Sequence, residues 1–178
     1  MFPMLWYSDM KTKTAYLGFF AAIAIIFGYV ETLIPVFAGI PGIKLGLANL
    51  SVLIILKKYG FKDAALVSFV RILVIGFLFG NMFSILYSLA GAALSLSVMV
   101  LLLKKTELTT IGISVFGGVT HNIGQLVIAA LVVENTAVFY YTPPLLISGV
   151  VTGFLIGVLT QEVLKRLPSV WGSDSKTL

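Results

Sequence analysis

Long apolar runs, broken only by short polar or proline-containing segments, make up most of the chain. Because a bilayer core of about 30 Å is crossed by roughly 20 apolar helical residues, the pattern predicts six transmembrane helices. The predicted spans are 14–34, 43–56, 61–79, 82–103, 109–133 and 144–164, of which the second is short for a full crossing. We therefore expect an all-α integral membrane protein with one six-helix domain at 14–166, between tails at 1–13 and 167–178.

The composition agrees with a membrane protein. Hydrophobic residues make up 59% of the 178-residue chain and charged residues 11%, whereas soluble domains carry about 25% charged residues. The absence of cysteine excludes disulfides and thiolate metal sites. A net charge of +5 could suggest a nucleic-acid partner, but the positions of the cations decide what the charge means.

The cations cluster on one side of the predicted membrane. With the N-terminus inside, ten of the twelve Lys and Arg residues lie at the cytoplasmic ends of the spans, which is a strong positive-inside pattern. These ten are Lys11, Lys13, Lys57, Lys58, Lys62, Lys104, Lys105, Lys165, Arg166 and Lys176. We therefore expect both tails to be cytoplasmic and the cations to face lipid headgroups, with no nucleic-acid partner.

Lys44 and Arg71 are the two cations outside this pattern. Lys44 lies at the outer start of the second span and Arg71 near the middle of the third. A buried arginine costs about 2.5 to 3.5 kcal/mol on insertion scales, so it normally faces a partner, a cavity or another subunit. Both cations would favour an anionic group, although Lys44 could instead snorkel and pair with Glu31.

The segment "GVTHNIGQLVIAALV" (118–132) places His121, Asn122 and Gln125 inside an apolar run. Each of these side chains could simply form hydrogen bonds between helices. However, polar groups from five spans gather at outer or middle depth, which favours an outward-opening binding cavity. The predicted substrate-binding residues are Glu31, Lys44, Asn49, Arg71, Asn81, Tyr87, His121, Asn122 and Gln125.

Small residues four positions apart allow helices to approach closely. The stretch "GVVTGFLIG" (149–157) is therefore predicted to be a packing face. In the first span, Gly18 with Ala22 and Ala24 with Gly28 form two similar faces. Either face could dock another membrane protein or the next helix.

The chain lacks the motifs of several enzyme classes. No G-x-x-x-x-G-K-[ST] motif occurs, so ATP binding by a P-loop is excluded. The seven acidic residues are scattered, whereas diphosphate–Mg²⁺ chemistry needs clustered carboxylates. One histidine without cysteine is weak evidence for a metal. We expect no catalytic residues, no metal and no cofactor.

Three segments resemble one known family. They are "VETLIPVFAGIPGIKLGLANL", "RILVIGFLFGNMFSILYSLAGAALSLSVMVLLLKK" and "GVTHNIGQLVIAALV", and they resemble the Gx transporter family, often labelled heptaprenyl diphosphate synthase component I. That family is grouped with the S components of energy-coupling factor (ECF) transporters, which are six-helix proteins that capture vitamins or related micronutrients.

This resemblance implies a substrate-binding subunit in a prokaryotic plasma membrane, working with a transmembrane coupling subunit and two ATPase subunits. S components commonly dock through small residues on the first helix, so Gly18, Ala22, Ala24 and Gly28 become the expected coupling interface. The connection "PVFAGIPGIK" would by analogy cover the pocket as an outer lid.

Two alternatives remain at this point. The family label points to an accessory membrane subunit of a polyprenyl (heptaprenyl) diphosphate synthase, although the chain has no residues that could ionise a prenyl diphosphate alone. Arg71 and His121 at similar depth could instead form a relay in a proton-coupled secondary transporter.

Overall fold

The computed structural model describes residues 3–33 and 45–167, with side chains described from residue 12 onward. Within these ranges the chain forms six α-helices and one 3₁₀ turn, and no strands. The helices are α1 (Pro3–Leu33), α2 (Leu47–Tyr59), α3 (Phe61–Phe79), α4 (Met82–Lys105), α5 (Thr110–Val133) and α6 (Thr142–Arg166), with the 3₁₀ turn at Thr136–Tyr141. The predicted all-helical order is confirmed, and α1 already begins at Pro3, inside the segment predicted as a tail.

Within the described residues, four helical segments are long and apolar enough to cross a membrane. They are Thr12–Leu33, Met82–Lys105, Thr110–Val133 and Thr136–Arg166. The other two helices differ because α2 has only 13 residues and α3 carries Lys62, Asp63 and Arg71. The protein is therefore of the membrane type, while six crossings and cytoplasmic tails stay predictions.

Helix α2 forms the centre of the bundle. Its five consecutive residues from Val52 to Leu56 are all buried, which is the pattern of a helix surrounded by protein on every side. It packs against α1, α3 and α6, while α4 packs against α3 and α5, and α5 packs against α6. Its central position explains how a helix too short for an ordinary crossing is accommodated.

One end of the bundle carries most of the described lysines. Lys13 Nζ on α1 lies 2.7 Å from Asp63 Oδ2 at the start of α3. Lys57 Nζ at the end of α2 donates a hydrogen bond to Thr110 Oγ1 at the start of α5, at 2.7 Å. The opposite end of the bundle therefore holds the end of α1 and the start of α2.

Glycines bring α5 and α6 into backbone contact. A Cβ atom added to Gly153 would lie 2.7 Å from Val115 Cα, and one added to Gly157 would lie 2.7 Å from Ile111 Cα. Real Cβ atoms do not approach other atoms this closely. The predicted packing face at 149–157 is confirmed, and it fixes α6 against the face of α5 that carries Asn122.

Candidate functional site

A polar cavity lies between the helices, at the end of the bundle opposite the lysines. All six helices contribute to it, and its volume is about 50 Å³. We call this cavity the chamber. Its lining residues are Glu31, Gly46, Asn49, Arg71, Ser88, Gly118, His121, Asn122, Gln125 and Thr152.

The junction between α1 and α2 places the first of these side chains. Gly46 adopts a left-handed conformation with φ of 76°, which only glycine adopts without strain, and α2 begins at the next residue. The Leu47 N–H donates a hydrogen bond to Glu31 Oε1 at 2.7 Å. The carboxylate of Glu31 therefore satisfies an otherwise unpaired donor at the start of α2 and is held beside the chamber.

Arg71 is held by two of its neighbours. Its Nη2 atom donates to Asn49 Oδ1 at 3.3 Å, and its guanidinium is attracted by the carboxylate of Glu31. The Nε atom of Arg71 is buried and has no hydrogen-bond partner among the described residues. Arg71 therefore retains one unused donor in the interior.

Gln125 is the most deeply buried polar residue of the chamber. The residue is 2% exposed, and its Oε1 atom has no hydrogen-bond partner in the described part of the chain. Leaving a buried polar group unpaired costs about 1 to 3 kcal/mol. Such an atom requires a partner from outside the protein, either water or a ligand.

Close approach of α4 and α5 fixes the position of Gln125. A Cβ added to Gly91 on α4 would lie 2.8 Å from Gln125 Cγ and 3.0 Å from His121 Nε2. A Cβ added to Gly124 would lie 2.8 Å from the Ala90 carbonyl oxygen. These two glycines let His121 and Gln125 fit between the helices.

Asn122 has a different environment, although it also lines the chamber. Its Nδ2 atom donates to the Leu145 carbonyl at 2.7 Å and to Ser148 Oγ at 3.3 Å, both on α6. The interhelical alternative considered for the three polar residues of α5 therefore describes Asn122 well.

Two further cavities share walls with the chamber. The end cavity, of about 140 Å³, shares Glu31, Arg71 and Ser88 and lies among the end of α1, the end of α3 and the start of α4. The deep cavity, of about 40 Å³, shares Asn49 and His121 and lies among mostly apolar residues of α2, α4, α5 and α6. The three cavities are therefore neighbours within the bundle.

Comparison with protein families identifies the wider group. The model of the family described as heptaprenyl diphosphate synthase component I matches residues 20–163. The chain belongs to this family. The match contains every residue that lines the chamber, and it confirms the resemblance inferred from the three sequence segments. No curated protein and no solved structure matches the chain.

Six of the nine predicted substrate-binding residues line the chamber: Glu31, Asn49, Arg71, His121, Asn122 and Gln125. Tyr87 lies on α4 but lines none of the three cavities. Lys44 and the expected lid lie outside the described residues. The sequence prediction missed Thr152, whose hydroxyl lies within the glycine-rich face of α6, where the pattern indicated only packing.

Asn81 is a helix cap and does not line the chamber. Its Oδ1 atom accepts a hydrogen bond from the Ser84 N–H at 2.8 Å, and its own N–H donates to Ser84 Oγ at 3.1 Å. This reciprocal capping box begins α4. The polarity of Asn81 is thereby explained by local structure.

The two small faces of α1 also differ. Ala24 is 0% exposed, and a Cβ on Gly28 would lie 3.1 Å from Ile75 Cγ1 of α3. Ala24 and Gly28 therefore pack inside the bundle, which corrects the expectation that they form an exposed docking face. Gly18 and Ala22 are exposed, with nothing within 4 Å of a Cβ on Gly18, so a coupling interface there stays a prediction.

Proposed function

We propose that this protein is a substrate-binding membrane subunit that captures a small, vitamin-like micronutrient or precursor for an ECF-type importer of the prokaryotic plasma membrane. The observation that carries the proposal is the chamber. It is a cavity lined by all six helices, and Gln125 Oε1 and Arg71 Nε are buried there without hydrogen-bond partners among the described residues.

The energetic cost of these groups supports a binding role. Packing alone would favour apolar residues at such depth, because unpaired polar atoms reduce stability. Ionisable residues inside membrane helices commonly belong to substrate or ion pathways. A ligand that pairs with Arg71 and Gln125 recovers the cost when it binds.

Transport by this subunit requires energy from partners. The sequence has no P-loop, so ATP hydrolysis is assigned to two ATPase subunits acting through a membrane coupling subunit. The exposed small face of Gly18 and Ala22 on α1 offers a surface on which a helix of the coupling subunit can pack closely. The chain itself is proposed to have no catalytic activity.

Calorimetry on purified, ligand-depleted protein tests the binding function. A panel of vitamins and their precursors should contain at least one compound that binds the wild-type protein. Asn49→Ala should weaken that binding about tenfold, the loss of one good hydrogen bond near a charged group, because Asn49 holds Arg71.

Asn81→Ala is the matched control, since it makes the same chemical change at a helix cap outside the chamber. Its affinity should equal that of the wild type. Folded wild-type protein that binds no compound in the panel contradicts the binding function, and equal losses in both variants place the site elsewhere.

The family description favours a second candidate, an accessory membrane subunit of a heptaprenyl diphosphate synthase. Among the described residues no group of three or more His, Asp or Glu comes together, so the metal-dependent chemistry would belong to a catalytic partner. Co-purification with a synthase subunit, followed by measurement of prenyl chain length with and without this protein, tests the candidate. A change in chain length supports it, and failure to associate contradicts it.

A further inference from the structure

We propose that the chamber selects a net-uncharged ligand group in which a hydrogen-bond donor lies beside an acceptor, as in the N–H and C=O of a primary or cyclic amide. This inference rests on the proposed binding function and names the class of ligand. It comes from two properties of the lining, its charge and its unused hydrogen-bonding atoms.

The charges of the described lining balance. Arg71 and Glu31 are the only Lys, Arg, Asp or Glu residues among the described residues that line the chamber, and they attract each other. The anionic group expected from the sequence depended on Lys44 and Arg71; Lys44 lies outside the described residues, and Glu31 already supplies the charge opposite to Arg71. A ligand with a net charge would therefore lose its hydration without an unpaired counter-charge to replace it.

Two fully buried side-chain atoms of the lining lack a hydrogen-bond partner among the described residues, one donor and one acceptor. Arg71 Nε can donate and Gln125 Oε1 can accept. An amide group of the ligand would supply an oxygen to Arg71 and an N–H to Gln125.

Other common polar groups fit this lining less well. A carboxylate offers only acceptors and brings a charge, so it leaves Gln125 Oε1 unpaired. An ammonium group offers only donors and leaves Arg71 Nε unpaired. A polar cavity of this size also accommodates water molecules, so a ligand must replace their hydrogen bonds to bind well.

The sizes of the cavities suggest how the rest of the ligand is placed. The chamber, at about 50 Å³, holds a polar group and not a whole cofactor. The end cavity of about 140 Å³ shares Arg71 and Ser88 with it and is bordered by Ile75 and Phe79. The less polar body of the ligand, such as a ring, would lie there while the amide edge enters the chamber.

Matched pairs of probes test the selectivity. Nicotinamide and nicotinate differ only in an amide against a carboxylate, and uracil and orotate differ only in an added carboxylate. In calorimetry at pH 7 on the purified wild-type protein, each uncharged member should bind about tenfold or more tightly than its anionic partner, a difference of the size expected for one unmatched buried polar or charged group.

A variant with altered charge sharpens the test. Glu31→Gln removes the balancing charge and keeps an oxygen that can accept from the Leu47 N–H. The ratio of carboxylate to amide affinity should rise about tenfold in this variant, as one unit charge becomes unbalanced. Glu162→Gln is the matched control, because Glu162 is exposed and does not line the chamber. Its Oε1 atom lies 2.7 Å from Lys165 Nζ. The ratio of carboxylate to amide affinity in this variant should equal that of the wild type.

The outcomes separate the ligand class from the binding function. A wild-type protein that prefers the carboxylates, or a ratio unchanged by Glu31→Gln, overturns the amide inference while the binding function stands. If no probe binds but the vitamin panel yields a ligand, a net charge on that ligand overturns the inference and an uncharged amide supports it. If nothing binds the folded protein, both proposals fail.

Discussion

The two sides of α5 are built in opposite ways. Toward α6, Asn122 Nδ2 donates hydrogen bonds to the Leu145 carbonyl at 2.7 Å and to Ser148 Oγ at 3.3 Å, and glycines close the space between the two backbones. Toward the chamber, Gln125 has a buried Oε1 atom without a hydrogen-bond partner among the described residues. Two amides one helical turn apart therefore have different environments.

This difference teaches that polarity in a membrane helix has two separable causes. Interhelical hydrogen bonds and glycine contacts stabilise the bundle, whereas unpaired groups in a cavity lower its stability, and we propose that they serve binding. Substitutions on the α6 side should therefore reduce the free energy of unfolding. Substitutions on the chamber side should change ligand binding. Their effect on stability should depend on whether they leave a buried polar or charged group without a partner.

Gly153→Leu should have the largest effect on stability. Its side chain would meet Val115 Cα and the Ser114 carbonyl, which lie 2.7 Å and 2.8 Å from the position of the first added carbon. Because neither is a flexible side chain, the helices must separate, at a cost of about 3 kcal/mol. Unfolding in mixed detergent micelles measures this loss.

Gly18→Leu is the matched control for Gly153→Leu, since a side chain at Gly18 meets nothing within 4 Å. Its free energy of unfolding should stay within about 0.5 kcal/mol of the wild type, as for other substitutions at exposed sites. Equal destabilisation by the two substitutions would contradict the assignment of the α5–α6 interface.

Arg71→Met should lower stability by about 2 kcal/mol, because the partly buried carboxylate of Glu31 loses its counter-charge. It should also abolish ligand binding. Combining it with Glu31→Gln should recover part of the lost stability but not the binding, as a double-mutant cycle of the unfolding free energies would report. Strictly additive losses would show that the two charges are independent.

Asn122→Ala should lower stability by about 1 kcal/mol, the usual size of an interhelical hydrogen bond in a membrane protein. The reason is the loss of its bonds to the Leu145 carbonyl and Ser148 Oγ. Unfolding of the ligand-free protein measures this loss. A variant as stable as the wild type would remove the contrast with Gln125.

The helical architecture could be predicted from the sequence because apolar periodicity and proline- or lysine-rich breaks are local signals. Helix α3 was placed at its observed bounds. The start of α1 was not, because the polar residues before the apolar run still form a helix. The central position of α2 is a tertiary property that appeared in the sequence only as a short apolar segment.

Residues that line the chamber could be predicted where a polar side chain has no role in local structure such as a helix cap. Arg71 and Gln125 stand alone in apolar runs, and both line the chamber. Asn81 lies outside the chamber because it caps α4 through its bond to Ser84, and a cap cannot be distinguished from a ligand contact in a sequence. Ala24 and Gly28 could not be separated from Gly18 and Ala22 because the spacing of small residues does not reveal which face meets α2 and α3.

The central claim is that Gln125, with its unpaired Oε1 atom, is retained for ligand binding. Gln125→Leu tests this claim most directly. The measurement is the unfolding temperature of this variant and of the wild type, with and without a compound that binds the wild type. Leucine removes the unpaired group at similar size, so the ligand-free variant should be as stable as the wild type or about 1 kcal/mol more stable. Added ligand should raise the unfolding temperature of the wild type only. The account would be contradicted if the ligand-free variant were clearly less stable than the wild type and the ligand still raised its unfolding temperature.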